Sequence, residues 1–434
     1  MLVAVNTKGP GPGSDAAAPI LWDIVTEHLD EAAFLYTQWE RALRSPEFTL
    51  GEVRDRVEER LLSHIDALVV GGRPVADAVL RPALHQGDQG VAFAAAMALL
   101  ADAGAASEAT VIAALGAAAP PQAGELLRAL QLCPAPRRQA MLMPLLSAPR
   151  PAVCAAAART LGFQQADLGA ALPPLLYSEQ TELVKAALYC LRYRPRSDAE
   201  SAIRQARESA DAELATAGLL AAAAAGSPEL LYTCRQLVRA RHPAAATAAL
   251  LLGLLGGPAD AELLLGAVTP AADSAADRLN PALLFALGFQ GSRAAAAACV
   301  DWLRSPALVL GASEAFVTIT GVDIDKAGLA APAESGGDED QASAADLDLP
   351  PEASLIRLDA AATAAFWSAN QDRFADAQRY FRGQPLLPAA PDSWRAALGR
   401  ANMRQRHPLA LALANISAGK ELIQTLALAR EQRL

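Results

Sequence analysis

Five histidines and five cysteines are the residues of this 434-residue chain best suited to metal binding or nucleophilic chemistry. The histidines are His28, His64, His85, His242 and His407. None forms an H-E-x-x-H pair, in which two imidazoles one helical turn apart hold zinc beside a carboxylate base. The nearest approach is His64 with Asp66, downstream of Glu58 and Glu59. Residues two apart do not share a helix face, so this group favours a structural role. The cysteines, Cys133, Cys154, Cys190, Cys234 and Cys299, stand singly in apolar, helix-like runs without metal-ligand or redox spacing. They read as small buried core residues of a reducing compartment. No G-x-S-x-G elbow is present, and no cysteine has a histidine close by in sequence. The expectation is no catalytic residue, no metal site and no cofactor.

Positive charge concentrates in two clusters. Arg192, Arg194 and Arg196 lie in "CLRYRPR"; Arg235, Arg239 and Arg241 lie in and just before "LVRARH". Near helix ends and about one and a half repeats apart, they form a candidate partner-binding patch along one edge, suited to an acidic protein or a phosphate backbone. The competing reading is that each cation stabilises a helix C-terminus. "NMRQRH", residues 402–407, is a smaller cluster of the same kind. A net charge of −10 argues against a general nucleic-acid role.

The elements that must position these residues are helices. Hydrophobic residues make up 53% of the chain and aromatics only 5%, because alanine carries much of the apolar content. Alanine has the best helix propensity and lets helices approach closely. Alanine- and leucine-rich runs end at Gly104, Cys133, Gly162, Tyr193, Gly226, Gly256, Gly288 and Gly321, spaced 29, 29, 31, 33, 30, 32 and 33 residues apart. A shorter amphipathic run precedes each of the later stops, and prolines 120, 149, 228, 243, 258, 281 and 306 fall where a helix should stop or start. A pair of short helices cannot bury its apolar face alone, so neighbouring pairs must stack. The fold class is therefore all-α, an α-solenoid of about eight short HEAT-like helix pairs. "EAFVTITG" falls in phase as the eighth second helix despite its β-branched residues, with Gly321 as a left-handed C-cap.

The flanks complete the plan. Residues 1–18 predict a flexible leader rather than a signal peptide, and 19–72 a helical cap carrying Trp22, Phe34, Tyr36 and Trp39. The solenoid occupies 73–324, and an acidic, disorder-like linker 325–353. A helical region, 354–434, packs on the solenoid at its C-terminal end, with Phe366, Trp367, Phe374, Tyr380 and Phe381 as core at near-helical spacing. No run reaches the length of an apolar membrane span, and the expected location is the cytoplasm.

Three segments resemble an uncharacterised HEAT-repeat-like family of Proteobacteria and Myxobacteria, members of which are often encoded near type VI secretion genes. The matching residues are Glu59, Arg60, Leu61, His64, Asp66 and Leu68; then Ile319, Thr320 and Gly321; then Trp367, Phe374, Arg379, Tyr380, Gly383 and Pro385. Gln405, Arg406 and His407 approximate a further basic motif. The resemblance implies a non-catalytic adaptor or chaperone-like co-effector whose partner is a protein, a secreted effector or spike component. A HEAT-like enzyme, such as a DNA glycosylase or a bilin lyase, is the alternative by fold analogy. The glycosylase would need a positive groove with Trp and Asp at its centre, against which the net charge speaks.

Overall fold

The computed structural model describes residues 20–102, 104–269, 277–332 and 354–432. The leader 1–18 and the linker from residue 333 to 353 lie outside the described residues. The chain divides into two compact units, one of residues 1–42, 51–160 and 427–430, the other of 43–50, 161–426 and 431–434.

In the first unit, helix Trp22–Ala42 pairs with a helix running from Leu50 to Val70, which widens to a π turn over Arg54–Glu58. Trp39, Leu61 and Ile65 are buried between them, and the Tyr36 ring stacks on Phe93 at 3.8 Å. The first two stops of the repeat close helices Val91–Ala101 and Pro120–Leu132. Residues Val91 to Leu100 are all buried, which only a run of small and aliphatic side chains allows.

The remaining second helices are Pro151–Phe163, Thr181–Tyr193, Ala212–Ala225, Ala245–Leu255, Asn280–Gln290 and Val309–Thr320. From Thr181 onward, each packs on the next. Gly253 sits so close to the Ala286 backbone that any Cβ would collide with it. First helices, such as Leu230–Arg239 and Pro258–Ala267, lie between them in sequence. The all-α solenoid is the observed architecture. Residues 313–320 are helical, and Gly321, at φ 66°, closes the helix with its N–H on the Val317 carbonyl.

The C-terminal region departs from expectation twice. Helix Ala360–Asn370 forms, but the aromatic run beyond it is not helical. Strands β1 (Arg379–Phe381) and β2 (Gln384–Leu386) make an antiparallel hairpin, with Tyr380 opposite Pro385. The aromatics are core nonetheless: Phe316, Trp367, Phe374 and Tyr380 touch in sequence. Second, the region does not stay at the C-terminal end of the array. Helix Met403–Ile416 packs on Ala212–Ala225 and Ala245–Leu255, and the strand-less chain after it reaches Gln165 and Phe163. The physical reason is that the last carbonyls of every helix lack an internal partner, and the tail supplies donors to them.

Candidate functional site

The hairpin is positioned by helix ends. Tyr380 N–H donates to Gly291 O at 2.8 Å, Arg382 N–H to Thr318 O at 2.6 Å, and Gly383 N–H to Ile319 O at 2.8 Å. Arg379 spreads its guanidinium over two helix C-termini, donating to the carbonyls of Gly253, Leu254, Phe289 and Gln290. Enclosure away from water pushes its pKa down to about 10, while the Trp394 ring lies 5.8 Å from its charge. Farther along, Gln405 Nε2 donates to Thr318 Oγ1 and its Oε1 accepts from Arg382. Arg406 donates to Leu398 O and Gln432 Oε1. His407 is fixed between Thr425 Oγ1 at 2.7 Å and Leu43 O at 2.8 Å; burial pushes its pKa down to about 4. Residues 318–321, the hairpin and Gln405 are thus tied together, while Arg406 and His407 anchor separate parts of the tail.

The candidate basic patch is spread over ion pairs and helix caps. Arg194 pairs with Asp167 at 3.1 Å, Arg196 with Asp198 at 2.6 Å, and Arg235 with buried Asp260 at 2.6 Å. Arg241 donates to Ala267 O at the end of helix Pro258–Ala267. Arg192 lies over the Tyr193 ring and beside Leu422 and Ile423 of the tail, and Arg239 is exposed. Capping recurs with Arg138, buried in the first unit, which donates to Leu100 O and Cys133 O. The competing reading of the arginines as stabilisers of helix ends describes Arg241 directly.

The cysteines are all buried. Burial raises the thiols of Cys190, Cys234 and Cys299 to about 12, far from the thiolate that chemistry requires. His242 Nδ1 accepts the Ala244 N–H. His64 and Asp66 do not converge; instead His64 Nδ1 lies 3.0 Å from Nδ1 of His28. The sequence reading missed that contact, although the signal was present. Two antiparallel helices folded about residue 46 place positions 28 and 64 opposite each other.

Between the tail and the array lies a cleft of about 260 Å³. Leu230 and Leu231 line it from the start of one first helix, Leu254 and Leu255 from the end of a second helix, and Pro388 and Ile416 from the tail. Its polar neighbours are turned to structural work. Ser227 Oγ accepts from Arg207 at 2.9 Å and donates to Glu200 at 3.0 Å, and Asn415 Nδ2 donates to Ala223 O. Leucine, proline and isoleucine side chains line it alongside an equal share of polar surface, and Tyr232 and Leu387, adjacent in sequence to lining residues, are 63% and 52% exposed. The arrangement is a recess between helix ends and the tail that could seat a side chain of mixed character.

A scan against protein-family models and a search of curated proteins each return no match. Among solved structures, the chain is similar to the crystal structure of an engineered protein, at 16% identity and a TM-score of 0.30, over 90% of this chain and 99% of that one. It is also similar to human deoxyhypusine hydroxylase in complex with glycerol, at 16% identity and a TM-score of 0.21, over 68% of this chain and 96% of that one. No helix among the described residues is long and apolar enough to cross a membrane.

Proposed function

We propose that the chain is a non-catalytic interaction scaffold, a chaperone-like adaptor in the cytoplasm that binds a type VI secretion effector or spike component and helps to load it. The cleft formed by Leu230, Leu231, Leu254, Leu255, Pro388 and Ile416 carries this reading. Aromatic anchors seated in such clefts concentrate the energy of protein interfaces, and Tyr232 and Leu387, next in sequence to lining residues, are large exposed side chains. The secretion context rests on the resemblance at residues 59–68, 319–321 and 367–385. Co-purification of the full chain with effector and spike proteins encoded beside it tests the reading. A specific partner should be recovered, and Leu231→Asp should release it while thermal unfolding stays unchanged. Recovery of no specific partner, or equal recovery by Leu231→Asp, would sink it.

A further inference from the structure

His28 and His64 belong to different helices, Trp22–Ala42 and Glu59–Val70, and both are partly exposed. Their rings meet edge to face, with centroids 5.1 Å apart and planes at 66°, and the nitrogens that face each other are the same atom of each ring, Nδ1, 3.0 Å apart. Metal–nitrogen bonds of about 2.0–2.1 Å set two donors about 2.9 Å apart when they are cis at a right angle and about 3.4 Å apart when tetrahedral. The observed separation falls on the cis edge. Both helices are anchored here: Leu29 and Ile65, next to the histidines in sequence, and Leu61, one turn before His64, are buried. Packing therefore holds the backbones that carry the two rings.

We infer that His28 and His64 form a two-imidazole binding site for a divalent transition-metal ion. Imidazole suits copper, nickel and zinc, and a cis right-angle pair matches the tetragonal preference of copper(II) or nickel(II). Among the described residues no group of three His, Cys, Asp or Glu side chains converges to hold a metal, so water completes the coordination shell. Without metal, one ring donates its Nδ1–H to the other. Binding needs both Nδ1 lone pairs, so the donor ring moves its proton to Nε2, and above the imidazole pKa no net proton is released. Glu27 and Glu31 lie on the first helix and Arg60 on the second; burial, His28 and Arg60 together hold the charged form of His64 down, with Glu31 and Glu27 opposing them. The ion would clamp the two helices together.

Copper(II) titration of the untagged full chain at pH 7.5, followed calorimetrically and by electron paramagnetic resonance, tests the site. One equivalent should bind with the signature of two imidazole nitrogens, and nickel(II) should compete for it. His28→Ala and His64→Ala should each weaken binding at least tenfold, whereas His85→Ala, at an exposed histidine of the same unit, should leave it unchanged. Binding should weaken in acid, where protons compete with the metal for the rings. Should a single variant unfold, His28→Gln and His64→Gln keep a polar side chain at the position and remove the imidazole donor. Either of two results overturns the inference: no saturable binding by the folded wild type, or binding that His28 and His64 variants retain in full.

Discussion

Burying an imidazole between a hydroxyl and a carbonyl, as at His407, makes folding depend on pH. Its ordinary pKa of 6.5 falls to about 4 in the fold, chiefly because burial disfavours the charged ring. The unfolded chain therefore binds a proton that the folded chain refuses between these values. The stability from His407 is fully present above pH 6.5, is lost as pH falls toward 4, and amounts to roughly 3 kcal/mol. Urea titrations from pH 7.5 to 4 should show this slope in the wild type and a reduced one in His407→Gln; parallel curves would refute the assignment. Arg379 makes the complementary case for a fixed charge. Its four carbonyl acceptors belong to two helix ends, and each would be left without a donor by Arg379→Met. The expected loss is about 3–5 kcal/mol by urea unfolding. Arg379→Lys, whose single ammonium cannot span both ends, should recover only about half. A methionine variant as stable as wild type would contradict the capping role. Neither role was legible locally: "QRH" and "RYF" read as a basic patch and a helix face, because their acceptors lie up to 364 residues away.

Helices were legible wherever their partners were near copies of themselves. The spacing of alanine-rich stops places the second helices, although helix Asn280–Gln290 runs past the expected stop at Gly288 to a left-handed cap at Gly291, and "EAFVTITG" reads as helix from its phase alone, against the preference of its Val, Ile and Thr. The hairpin was not, because two three-residue strands carry almost no local signal. Its place is fixed by N–H groups that reach Gly291, Thr318 and Ile319. Gly321 joins the two elements. Its positive φ disfavours other residues on local grounds, and a Cβ there would also strike the Arg382 backbone. Gly328 has nearly the same φ, 62°, with open space around it. Alanine at Gly328 should cost about 1 kcal/mol, the left-handed penalty alone. Alanine at Gly321 should cost about 2–4 kcal/mol, because the hairpin must also shift. Thermal or urea unfolding of the two variants compares them, and equal losses would mean that the hairpin does not bear on the helix end.

For the chain as a whole, the tail changes what a repeat array offers to a partner. A stack of helix pairs leaves rows of C-terminal carbonyls for any donor to use, and here the chain's own last residues use them. Gln424 Nε2 donates to Phe163 O, and Leu422 O accepts from Gln165. In the first unit the Ala429 N–H donates to both oxygens of buried Glu58, at 2.7 and 3.0 Å, beside the Trp39 indole N–H. Burial raises the Glu58 pKa even so, which marks these donors as needed by the carboxylate. A chain ending at Ile416 loses them together with the fully buried Leu428, a side chain whose burial alone is worth about 2 kcal/mol. It should melt at least about 5 °C lower than the full chain. The two changes should also be coupled. Glu58→Gln should cost about 1–2 kcal/mol in the full chain, where it weakens charge-assisted bonds to Ala429, and close to nothing in the shortened chain, where water has replaced them. Additive losses in that double-mutant cycle would show that the tail and Glu58 stabilise the protein independently.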